Sequence, residues 1–312
     1  MSKLTVGEAA FSGFGLVKRD PQTFLGAAVL MSALGVLTAL VLVPAYARMF
    51  TAMLDAASAD VDPTASLEAT LGFYASLGPL MLLSIPIGAM VLAALDRSLV
   101  FGRSEGWVLG LKIGMDELRV ILVTIVGYIL SYLAFLVVGI LALVAAGVAA
   151  AGVAAGGGGD GGAAAVMLLL IIPLYFGAAA VSVWIGIRLC LAGPATIGES
   201  RFVIFESWSM TKGRFWKLFL GYLVVYVLSY LIYLAVWAVA AAVAFGSLMS
   251  TSGGEMPDFS GLESMSLNPM VVVGGILYGV VVTFIASGFL GVAAAGYRDW
   301  KAASPAGAAE VF

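Results

Sequence analysis

Charge and apolar character alternate along this chain in long blocks rather than residue by residue. Six runs carry no charged residue at all: 21–47, 69–95, 120–159, 161–187, 218–254 and 264–297. A helix needs about 20 apolar residues to cross a bilayer, and every run exceeds that. The pattern therefore predicts an all-α integral membrane protein. Six transmembrane helices are expected over about 21–47, 69–95, 120–150, 163–187, 218–249 and 269–297, in a single membrane domain over 1–312. No short apolar core with a small-residue cleavage site precedes the first run, so the first span is expected to stay as a helix.

Local signals refine the ends. Asp20-Pro21 reads as an N-cap followed by proline at the first helical position, and Asn268-Pro269 repeats the device before the sixth span. Asp62-Pro63 predicts an outer extension of the second helix, and the glycines between Gly156 and Gly162 predict a flexible outer turn. Pro44, Pro79, Pro86 and Pro173 predict kinks or helix ends.

The cations are one-sided. Fourteen of the fifteen Lys and Arg residues fall in the N-terminal segment, the second-to-third and fourth-to-fifth connections, and the C-terminus; the exception is Arg48. Such asymmetry predicts that those segments, and both termini, face the cytoplasm. The stretch KGRFWKLF, residues 212–219, shows the rule at one edge. Lys212, Arg214 and Lys217 sit near anionic headgroups, with Trp216 and its flanking phenylalanines at headgroup level. Interfacial anchoring accounts for the stretch, and dedicated lipid binding is the sharper alternative.

The chain also repeats itself. Tyr128-Ile-Leu-Ser-Tyr-Leu133 and Tyr226-Val-Leu-Ser-Tyr-Leu231 agree at five of six positions, and the same offset of 98 pairs Arg119 with Lys217. Three hairpin units are expected, 5–98, 101–192 and 199–301, each with a returning helix that ends at an arginine: Arg97, Arg188 and Arg298. Before each unit's first span lies a segment that predicts either a short cytoplasmic interfacial helix or an elbow packed on the bundle. Trp107, Val108, Leu111 and Met115 share one face there, with Lys112 and Asp116 opposite, while Phe202, Phe205 and Trp208 are spaced by three.

Composition narrows the chemistry. Apolar residues make up 62% of the chain and charged residues 11%, against about 25% charged in an ordinary soluble domain. A net charge of −3 argues against a nucleic-acid partner. There is no histidine and only one cysteine, so histidine relays, disulfides and zinc sites are excluded, and no cofactor is expected. No charge falls mid-span, and no enzymatic activity is expected. Arg97, Arg188 and Arg298 could form an anion-binding ring, or snorkel, or pair with Asp96, Glu199 and Asp299. Tyr128, Tyr132, Tyr226 and Tyr230, with Ser131 and Ser229, make matched polar stripes on the third and fifth helices. They either hydrogen-bond across helices or line a cavity. Gly275 and Gly279 form a GxxxG packing pair.

Glu206-Ser-Trp-Ser-Met-Thr-Lys-Gly-Arg-Phe-Trp-Lys217 resembles a segment of a broad group of six-helix bacterial inner-membrane proteins. These are similar to the membrane domain attached to some glycerophosphodiester phosphodiesterases. The resemblance implies a non-catalytic, lipid-associated membrane module and assigns no residue a role. The expected partners are anionic membrane lipids and other membrane proteins. The candidate contacts are Trp107, Lys112, Arg119, Trp208, Lys212, Arg214, Trp216 and Lys217. A transporter or channel for a lipid-like or small neutral solute, using the tyrosine stripes, is the alternative.

Overall fold

The computed structural model describes residues 4–57, 63–102, 111, 114–156, 159–252 and 269–304. Helices are the elements that form among them: α1 (Val6–Phe11), α2 (Leu16–Arg19), α3 (Pro21–Ala57), α4 (Pro63–Phe101), α5 (Met115–Ala155), α6 (Gly159–Leu189), α7 (Ala192–Gly198), α8 (Glu206–Met210), α9 (Phe215–Ser252) and α10 (Pro269–Ala303). Six of these, α3, α4, α5, α6, α9 and α10, are long and apolar enough to cross a membrane. The chain is a multi-pass membrane protein.

The long helices contain 31 to 41 residues, or about 46–62 Å, against roughly 30 Å of hydrocarbon. They outrun the uncharged blocks because a backbone leaving lipid still closes its hydrogen bonds most readily as helix. For the same reason Gly159–Gly162 belong to α6 rather than to a turn, and all four internal prolines lie inside continuous helices without ending them.

Two packings dominate. The α5–α6 pair forms one tight hairpin, and α3 packs on both α4 and α10. The third expected hairpin is open: α10 lies mainly on α3, and α1 wedges between α9 and α10. Glycine is the reason α10 comes so close to α3. A Cβ at Gly275 would sit 2.7 Å from Val36 Cα, and one at Gly279 would collide with the Ser32 backbone. Ser32 Oγ then donates to Ile276 O across the contact at 3.0 Å.

The buried core gathers at the cation-rich end, around Leu16, Leu95, Leu99, Leu191, Leu218 and Tyr297. The short helices are part of it. Ala9 and Ala10 of α1 are buried, and α7 is buried at Ala192, Pro194, Ala195, Thr196 and Ile197. Both pack against the long helices. The segment with Trp107, Val108 and Lys112 lies outside the described residues.

Candidate functional site

Polar sutures hold the cation-rich end together, and two of them start from the consecutive α4 residues Arg97 and Ser98. Successive helical residues point about 100° apart, so Asp96, Arg97 and Ser98 face three neighbours. Ser98 Oγ donates to Asp20 Oδ2 at 2.6 Å, at the start of α3. Thr23 donates to the same carboxylate through its backbone N–H and its hydroxyl, completing the N-cap. Burial pushes the Asp20 carboxyl up, but these three hydrogen bonds outweigh it and hold the group below its ordinary value. Arg97 forms a buried ion pair with Glu117 on α5. Elsewhere Arg214 Nε donates to Asp299 Oδ2 at 2.6 Å, and the Leu4 N–H donates to Asp299 Oδ1.

Asp96 is the residue without such a partner. It is 2% exposed, and its Oδ1 is buried with no hydrogen bond. Asp96 helps line a cavity of about 330 Å³ between α4, α5 and α6, with the first turn of α7 also in its wall. Thr124, Tyr128 and Ser131 of α5 face the same space. Their spacing of four and three puts them on one stripe of that helix.

A second cleft, of about 460 Å³, lies between α6 and α9, with Phe289 of α10 behind it. Its walls are almost entirely apolar, from Val183, Ile187, Phe219 and Leu223, with Tyr222 and Tyr226 supplying hydroxyls. Gly186 and Cys190 line both spaces, so α6 is a shared partition.

The candidate residues distribute as follows. Tyr128 lines the first cavity and Tyr226 the second cleft. Tyr132 and Tyr230 face outward, 65% and 56% exposed. Because α6 contacts both α5 and α9, the two tyrosine stripes do not enclose a common passage. The three arginines have separate environments. Arg97 pairs with Glu117 rather than Asp96, and Arg298 is exposed. Arg188 lies under Trp184, Trp208 and Phe215 at 5.8, 5.6 and 5.5 Å, and donates to Thr211 Oγ1 at 3.3 Å. Among the candidate contacts, Trp208 is thus engaged by Arg188, Arg214 by Asp299, and Arg119 by Asp116 at 3.1 Å. Lys212 and Trp216 remain exposed and Lys217 half-exposed.

The Thr211-Lys212-Gly213 motif has a local structural cause. Gly213 adopts φ +81°, the left-handed conformation that lets the chain turn from α8 into α9. Glu206, at the head of α8, accepts from Arg201 at 2.5 and 2.7 Å, which holds its carboxyl below the ordinary value.

The sequence offered Asp96 as one of several possible roles for Arg97, beside snorkelling and an anion-binding ring, and α7 gave no signal there. The consecutive Asp-Arg-Ser, one helical step apart, was the available signal that they could not all serve one neighbour. No protein family, curated protein or solved structure matches this chain.

Proposed function

We propose that this protein is a non-enzymatic membrane module that organises lipids, held in the bacterial inner membrane with both termini in the cytoplasm. The observation that carries the reading is the α6–α9 cleft. Two apolar helices diverge there, leaving about 460 Å³ walled by aliphatic and aromatic side chains. Within a bilayer such a space fills with acyl chain, because lipid is the solvent at that depth. Trp216 and Lys217, near the start of α9, are residue types suited to the headgroup region. The segment's resemblance to lipid-associated membrane domains agrees with this reading. Its contacts in this reading are the cleft and the start of α9. A solute path along the tyrosine stripes has less to rest on, since α6 separates them.

The test is lipid retention. Protein extracted gently and examined by native mass spectrometry should carry bound phospholipid that resists detergent exchange. Leu223→Trp, which fills the cleft, should release it. Wild type without lipid, or equal retention by the filled variant, overturns the proposal. A reporter fused after Gly158 tests the orientation: it should react with membrane-impermeant reagents from outside the cytoplasm.

A further inference from the structure

We propose that the first cavity, between α4, α5 and α6, binds a primary ammonium group with Asp96 as its counter-ion. The proposal uses a different space from the lipid cleft and stands whether or not that cleft holds lipid. A buried carboxylate in apolar surroundings is costly unless a cation or several donors meet it. Asp96 has neither: it is 2% exposed, its Oδ1 lacks a hydrogen bond, and the neighbouring Arg97 is turned toward Glu117. Protonation would remove the charge yet leave Oδ1 without a hydrogen-bond partner. A guest cation resolves the deficit.

The shape of the cavity selects the kind of cation. An ammonium carries three donors and needs acceptors spread around it. Asp96, Thr124, Tyr128 and Ser131 line one space of about 330 Å³, and each carries an oxygen able to accept from an ammonium. The remaining wall, including Leu92, Val123 and Leu290, suits an alkyl substituent. A bare metal ion fits poorly. Among the described residues there is no group of three His, Cys, Asp or Glu that could hold one, and the volume is far larger than a dehydrated ion fills. Tyr128 lines the cavity yet is 74% exposed, so the space reaches the lipid-facing surface. The ammonium can therefore come from a lipid headgroup or from a free amine.

Full-length protein in phosphatidylcholine nanodiscs separates these sources. Titration with n-butylammonium, and n-butanol as control, is followed by thermal unfolding. Discs containing phosphatidylethanolamine are read by native mass spectrometry. Stabilisation by butylammonium but not butanol assigns a free amine. Selective retention of phosphatidylethanolamine without that stabilisation assigns the headgroup. In either case Asp96→Asn should weaken binding roughly tenfold or more, the size of a charge-assisted hydrogen bond. Its unfolding temperature without amine reports that it is folded. Gly127→Leu fills the same cavity while keeping the carboxylate, since a Cβ there meets nothing within 4 Å, and it should also abolish binding. The proposal is overturned if neither ligand acts on wild type, if Asp96→Asn or Gly127→Leu binds as well as wild type, or if Na⁺ alone reproduces the stabilisation.

Discussion

Where α10 meets α3 the backbones touch; where α4 meets α5 they stand apart around a cavity. The first junction is built from Gly35, Gly275, Gly279 and Ser32, residues too small to hold two helices apart. At the second, α4 presents Leu92 and Asp96 to Val120, Thr124 and Tyr128 of α5, and a charged group stays in the gap. The difference teaches that residue size at the contact sets whether a junction in this bundle seals or opens. An opened junction is also where an unpaired carboxylate can persist. The α6–α9 junction is a third case, open but apolar, with Ile187 preceding Arg188 as Asp96 precedes Arg97.

The largest expected effect breaks the suture beside the open junction. Glu117→Ala leaves Arg97 buried and unpaired and should cost about 3–5 kcal/mol in denaturant unfolding. A loss near zero would mean that the α4–α5 contact does not depend on that pair. Glycine substitutions come next and should have opposite signs at the two junctions. Gly279→Ala drives a methyl into the Ser32 backbone and should destabilise by about 1–3 kcal/mol. Gly127→Ala, in the open space, should stabilise by about 0.5–1 kcal/mol through helix propensity. Equal effects at both sites would dissolve the distinction between closed and open.

The effects at the turn and the cap also stay well below that of the broken suture. Gly213→Ala should cost about 1–2 kcal/mol, because φ +81° strains any residue with a Cβ. Asp20 contributes a pH-dependent share of about 1 kcal/mol, the usual worth of an N-cap. Its carboxyl lies below the ordinary 3.8 in the folded protein, so the contribution is complete above that pH. It is lost as pH falls through the lower folded value. Wild type should weaken more than Asp20→Asn in unfolding measured below pH 3.8; parallel curves would remove Asp20 from the suture.

Much of this could be read before any fold was known, and the reasons are local. The six helices follow from uncharged length, and the Asp20-Pro21 start from cap chemistry, both of which depend on neighbours in the chain. The Gly275–Gly279 pair announced a close contact but not its partner, since glycine permits approach by any helix. The tyrosine stripes showed their spacing but not their surroundings: Tyr128 and Tyr132 are both exposed, and of the two Tyr128 borders the cavity.

What the amino-acid order determined alone is the solvent and the secondary structure, because hydrocarbon rejects charge and forces each backbone to bond within its own helix. Tertiary structure decided which helix lies beside which, and hence which charges found partners. That choice belongs to packing between segments far apart in the chain. Arg97 could have met Asp96, its immediate neighbour; it was the approach of α5 that gave it Glu117 and left Asp96 facing the cavity.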